Sequence, residues 1–248
     1  MRRPGGRDAH HVRTARRRSA RATDSCGREI WLAELTDLLA RTRAHGIRCD
    51  EGAAGRLAAY CAEVAGWSHR VNLVSRAELT QLVTKHVAAS LGVLLAEKPR
   101  PPESWIDVGT GAGLPGMVVK LCCPDVPMTL LDSAYRKIAF LEGVRDRLGV
   151  RGLDLVWSRV EELGRGPGSA AHVQFAVILM RALAALSHSL ELIDGISAPG
   201  TRLITFKGPN WENELAAASR EMSRCGWRFD CEVQIPWVRA RVLRIVKV

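Results

Sequence analysis

The chain has 248 residues, 47% of them hydrophobic, and a formal net charge of +10. That length predicts one domain with a small extension, and the apolar content suffices for a packed core. Apolar runs fall far short of 18 residues, which excludes a membrane-spanning helix. The seven cysteines are odd in number and contain no Cys-x-x-Cys pair. They read as buried free thiols in a reducing compartment rather than as disulfides or a zinc site, so no metal is expected.

Residues 1–25 hold eight arginines against two aspartates, a net +6. This segment has almost no apolar residues and is expected to be disordered. No apolar core follows the arginines, so it is not a secretory signal, although its composition overlaps that of a mitochondrial transit peptide. It is either a solvated extension (or a misassigned start) or an arm that adds phosphate contacts on RNA.

Three amphipathic helices are expected next. Trp31, Leu35, Leu38 and Leu39 recur at helical spacing over 29–45. Leu57, Tyr60, Cys61, Val64 and Trp67 repeat the pattern over 53–67. Ser75-Arg76-Ala77-Glu78 is a capping box for a third helix carrying Leu79, Leu82, Val83, His86, Ser90 and Leu94 on one broad face. Residues 26–98 thus form a helical cap, and Pro99, Pro101 and Pro102 make a linker.

From residue 104 the rhythm becomes strand, helix, strand. Strands are expected at 104–108, 128–131, 153–157, 175–179 and 201–206, with helices at about 114–122, 134–148, 182–194 and 210–225 and a loop at 164–171. The alternation implies an α/β domain over 104–248, a mostly parallel sheet with helices on both faces. Two last alternating runs, Phe229–Ile235 and Val242–Val248, read as an antiparallel hairpin at its edge.

The chemistry concentrates in residues 105–116, where an apolar strand runs into Gly109, Gly111, Gly113 and Gly116 and then into a helix. Such a loop lets backbone approach a ligand closely. Asp132 follows some 20 residues later, at the end of the second strand, where a ribose-binding carboxylate sits in nucleotide-type sites. The spacing departs from the dinucleotide fingerprint, and Asp-x-Gly-x-Gly-x-Gly resembles the first motif of S-adenosyl-L-methionine (AdoMet) methyltransferases. Asp107 would orient loop amides or the ligand's ammonium group; a turn-stabilising side chain is its simpler role. Ligands of open α/β sheets bind at the carboxyl ends of the strands. The loop 109–114, Asp132, residues 158–161, Met180-Arg181 and Lys207-Gly208 are therefore expected to line one cleft.

Asp107 to Gly116, Leu130-Leu131-Asp132-Ser133, Arg136-Lys137-x-x-Phe140-Leu141, Ser158-Arg159-Val160-Glu161, Arg181-Ala182-x-Ala184 and Lys207-Gly208 carry a closer likeness. With Trp67, Asn72-Leu73 and His86-x-x-x-Ser90-Leu91 in the cap, they resemble the small-subunit (16S) ribosomal RNA guanine-N7 methyltransferases, also called the glucose-inhibited division protein B family. The resemblance spans roughly 30–248. It implies a class I, Rossmann-like methyltransferase fold, AdoMet as cofactor, ribosomal RNA of the small subunit as partner, a cytoplasmic location and, as expected here, a monomer without membrane contact. It places AdoMet contacts on Gly109, Leu114, Val160, Glu161 and Arg181. Three positions depart from the family pattern, Ala89 in place of Asp, Val74 in place of Thr and Met180 in place of Ser.

Guanine N7 carries a lone pair and no proton, so its methylation needs no general base. This agrees with the lack of a His/Asp or Cys pair at catalytic spacing. Arg159 and Lys207, at strand ends, are candidates for RNA phosphates or the guanine O6 edge, or are solvated charges. Arg181 is a further substrate candidate, where cofactor and target base would meet, or a surface ion pair. His86, on the inner cap face, is a core histidine or a substrate contact. Two rival readings fit the same residues: a methyltransferase acting on a small molecule or protein, and a non-catalytic RNA-binding assembly factor with a degenerate pocket. The intact loop, Asp132 and Glu161 argue against the second, and the basic balance favours RNA.

Overall fold

The computed structural model describes residues 29–163, 173–181 and 185–248. The basic tail, Cys26, the 164–171 loop and Ala182 to Ala184 lie outside them. Helix α1 spans 29–43, and α2 (Ala53–Ser68) follows. Both bury the faces expected of them: Leu35, Leu38 and Leu39 from α1, and Leu57, Tyr60, Cys61 and Val64 from α2.

The third helix differs from its expectation. Ser75 caps α3 (Arg76–Leu79), its side chain accepting the Glu78 N–H, so the capping box is real. The helix then widens into a π-helical stretch, Leu82–Val87, before α4 (Ala88–Leu91) and α5 (Val93–Ala96). Such turns are rare overall but frequent at functional sites. Here the stretch contains His86.

Strands β1 (Trp105–Val108), β2 (Met128–Asp132), β3 (Leu153–Trp157), β4 (Val177–Met180) and β5 (Arg202–Lys207) alternate with α6 (Gly116–Cys122), α7 (Tyr135–Leu148) and α8 (Leu186–Ile193). Next come α9 (Trp211–Ala217), α10 (Ser219–Arg224) and a hairpin of β6 (Trp227–Gln234) and β7 (Arg241–Lys247). The sheet order is β3-β2-β1-β4-β5-β7-β6. β1 to β5 pair in parallel, and β7 lies antiparallel against β5, leaving β6 at the edge.

The two-residue strand period separates two apolar layers. Trp105, Leu130, Leu179 and Ile204 face one layer together with the cap, α6 and α7. Ile106, Leu131, Ile178, Met180 and Leu203 face the other, with α8 and Met222 of α10. The cap shares the first core. Tyr60 donates to the Ala112 carbonyl at 2.7 Å, Trp237 to Ala88 at 2.8 Å and Arg244 to Ala96 at 3.0 Å. Buried Glu97 accepts a hydrogen bond from Arg100 at 2.8 Å and forms an ion pair with Arg202 at 3.0 Å. The six described cysteines are free, but only Cys61, Cys122 and Cys225 are buried; Cys49, Cys123 and Cys231 are half-buried. No helix of the described residues is long and apolar enough to cross a membrane.

Candidate functional site

The glycine loop joins β1 to α6. Gly109, Gly111 and Gly113 have φ of 71°, 59° and 99°, values that side chains with a Cβ rarely adopt. A Cβ on Gly111 would still find open space, its nearest neighbour 4.0 Å away. A Cβ on Gly116 would come within 2.4 Å of Leu130 and 2.7 Å of Asp107. Gly111 therefore keeps the loop bare on its open side, while Gly116 lets α6 press against the sheet.

Asp107 is buried beneath this turn. Its Oδ2 accepts the Thr110 hydroxyl at 2.7 Å and the Gly116 N–H at 2.8 Å, while Oδ1 has no partner. Burial raises its pKa to about 6, opposed by these hydrogen bonds and by Arg181. Asp132 ends β2 and fixes the other side of the loop. Its Oδ2 accepts the Gly111 N–H at 2.9 Å and its Oδ1 the Ala134 N–H at 2.9 Å, with the Lys137 ammonium at 3.4 Å. One carboxylate thus sets the loop and the start of α7 together.

Arg181 follows β4 on the cap side of the sheet. It reaches His86 Nδ1 at 3.1 Å and lies 5.5 Å from the Phe206 ring centroid. Its Nη1 is buried without a hydrogen-bond partner. Burial lowers its pKa, while Asp107, Tyr60 and Glu78 support its charge. His86 has a lowered pKa, first from burial and then from Arg181. Its neutral ring can accept from the guanidinium, which orients the arginine.

A cleft of about 400 Å³ opens over these strand ends. Of the sequence-derived candidates, Gly109, Asp132, Arg159, Val160, Glu161 and Arg181 line it. Gly111, Gly113 and Leu114 shape the loop behind them, and His86 lies behind Arg181. Lys207 does not join this cleft. It belongs to a separate hollow of about 670 Å³ with Gly208, Arg239 and Arg241, because β5 lies one strand beyond β4. The Lys207 side chain is 8% exposed and ion-paired with Glu214, whose Oε1 also accepts the Leu186 N–H at the start of α8. Lys207 is thus tied to the Glu214 carboxylate of α9 rather than presenting a free charge.

Ser133, Lys137, His188 and Leu192 also line the cleft and were not among the candidates. Ser133 follows Asp132 directly and Lys137 stands five residues beyond it, so proximity to Asp132 was the available signal. His188 and Leu192 come from α8, and nothing local marks them, since their place depends on how that helix packs. Tyr60, which holds the loop from the cap, read only as a core residue. Of the three departures, Met180 packs in the α8 layer and Val74 in the cap core, and neither lines the cleft. Ala89 is buried in α4. Among the described residues no cluster of His, Cys, Asp and Glu could hold a metal ion.

A parallel sheet with a reversed last strand and a glycine loop at its centre defines the class: this is a class I, AdoMet-dependent methyltransferase fold. A SAM-dependent methyltransferase from Aquifex aeolicus shares it, with a TM-score of 0.50 at 18% identity over 68% of this chain and 93% of that one. A family model described as rRNA small subunit methyltransferase G, GidB, matches residues 54–233. The ribosomal RNA small subunit methyltransferase G of Moorella thermoacetica is 36% identical over 168 residues, 68% of this chain and 69% of its own. That of Roseiflexus castenholzii is 32% identical over 214 residues, 86% and 90%. The chain belongs to the rRNA small subunit methyltransferase G family.

Proposed function

We propose that the chain transfers the methyl group of AdoMet to N7 of a guanine in small-subunit ribosomal RNA. The observation that carries this is the meeting of the glycine loop, Asp132 and Arg181 at the carboxyl ends of β1, β2 and β4 in one cleft. The residues suit the cofactor: the loop is open at Gly111, and Arg181, which lines the cleft, carries a buried Nη1 without a partner. Native proteins seldom leave such atoms orphaned unless something else completes them.

In this reading Gly109, Gly111, Gly113 and Leu114 border the methionine portion and Asp132 the ribose. Val160 and Glu161 border the adenine edge. AdoMet supplies an electrophilic methyl group on a sulfonium. Asp107 holds the turn by its amide and hydroxyl contacts, so the loop needs no reorganisation when ligand enters. Arg181, oriented by His86, presents a guanidinium where charge and carbonyl groups of the guanine edge can be met. Arg159, exposed at the cleft lip, is placed for RNA phosphate. No residue has to remove a proton, and alignment of the two reactants provides most of the acceleration.

A monomer acting in the cytoplasm, with the cap over 26–98 and the catalytic domain over 104–248, completes the proposal. Calorimetry with AdoMet, followed by methyl transfer to small ribosomal subunits, free nucleosides and protein, tests it. Transfer to the subunits with N7-methylguanine in the digested RNA is the expected result. Transfer only to nucleosides or protein would reject it.

A further inference from the structure

Six large hydrophobic side chains are exposed among the described residues, and only two are aromatic, Trp157 at 62% and Tyr135 at 57%. They are neighbours. Their ring centroids lie 5.1 Å apart in an edge-on arrangement at 60°. Trp157 ends β3 and Tyr135 begins α7, so both stand at the same end of the sheet as the cleft. The indole N–H is already used, donating to the Ser133 carbonyl at 3.0 Å. What remains on offer is therefore ring surface, held in a fixed orientation.

These rings are not part of the cofactor cleft. Trp157 lines an adjoining hollow of about 420 Å³ with Ser133, Ser158, Arg159 and Glu162. Ser133, Ser158 and Arg159 border both spaces. Arg159 and Arg136, beside the two rings in sequence, are exposed and make no ion pair among the described residues. The nearby acids are Glu162, which accepts the Ser158 hydroxyl at 3.2 Å, and Glu161 in the cleft. Exposed aromatic faces with free arginines beside them suit unpaired nucleobases, whose rings stack while the phosphates meet the cations.

We propose that Tyr135 and Trp157 form a stacking platform for an unpaired base of the RNA substrate, next to the methylated one. The proposal rests on the rRNA reading above and names the surface that holds the strand outside the transfer cleft. Arg159 is the one cation among the three residues that border both spaces.

The test uses the full chain. Binding of a fluorescein-labelled 12-nucleotide oligo(A) and of an RNA duplex of equal length is measured for wild type, Trp157→Ala, Tyr135→Ala and Trp157→Phe. AdoMet affinity and the KM and kcat for small ribosomal subunits are measured alongside. Each alanine variant should bind oligo(A) about tenfold more weakly, with a raised subunit KM and unchanged kcat and AdoMet affinity. Duplex binding should change little, and phenylalanine should restore most of the loss. Wild-type oligo(A) affinity in both alanine variants would overturn the platform. So would a loss confined to AdoMet affinity, which would assign the rings to the cofactor. If the wild-type chain neither binds RNA nor methylates subunits, the rRNA reading fails first, and the platform with it.

Discussion

Arg181 is held from two sides: the His86 ring takes one of its donors, and Phe206 lies beneath it. A guanidinium so restrained is a preorganised donor. Arg181→Ala should lower single-turnover methylation of small subunits by about 30- to 150-fold, or about 2–3 kcal/mol of transition-state stabilisation. Its melting temperature should stay near that of wild type. A rate close to wild type would remove Arg181 from the site. Asp107 yields a pH prediction. Its pKa is raised to about 6, so the fold favours its protonated form. That preference stabilises the protein at low pH and is lost as pH rises through about 6. Asp107→Asn lacks this loss. Relative to wild type, its stability should improve on the order of 2–3 kcal/mol between pH 4 and pH 7. Melting curves across that range check it, and a difference that stays constant with pH rejects the buried carboxyl as its source. His86 runs the other way. Its lowered pKa favours the neutral ring, so its contribution is present above the ordinary histidine range and fades as pH falls.

The strand-loop-helix of β1 and α6 is the element on which the site depends, and two glycine substitutions separate its roles. Gly111→Val places a branched side chain in the open space of the loop at a positive φ. It should abolish AdoMet binding by calorimetry while the circular dichroism spectrum stays native. Unchanged affinity would disprove the loop's assignment. Gly116→Ala meets Leu130 and Asp107 instead. It should destabilise by about 1–3 kcal/mol, as overpacking does, seen as a lower denaturation midpoint. This element was legible in the sequence because its glycines, its apolar strand and the Asp132 spacing are all local signals. The π-helical turn around His86 was not. A capping box announces where a helix starts, but the apolar spacings of Leu79, Leu82, Val83 and Leu94 also fit an uninterrupted α-helix.

At the scale of the whole molecule, the cap and the sheet share one core. Tyr60 reaches from α2 to the Ala112 carbonyl, so cap packing and loop geometry are one problem. The basic segment 1–25 contributes a net +6 and has almost nothing apolar to bury. Its deletion should leave the melting temperature and AdoMet affinity unchanged. RNA affinity should fall and become less dependent on salt, by about one unit of slope for each phosphate that the segment neutralises. A sharp drop in melting temperature would instead give the segment a structural role.

The sequence by itself determined the alternation of strands and helical segments from residue 104, the edge hairpin and the glycine loop with its carboxylates. These follow from hydrophobic period, caps and backbone freedom, which act over a few residues. It also supplied Arg181, because a charge at the end of an apolar strand must emerge at the sheet's carboxyl edge. The tertiary structure decided which of the strand-end residues share a cleft. Lys207 met every local criterion, yet β5 stands one strand too far and Glu214 takes its charge. His188 and Leu192 met none, yet the packing of α8 brings them to the cleft wall. The arrangement of helices over a sheet depends on contacts between residues far apart in the chain, and no local pattern encodes those distances.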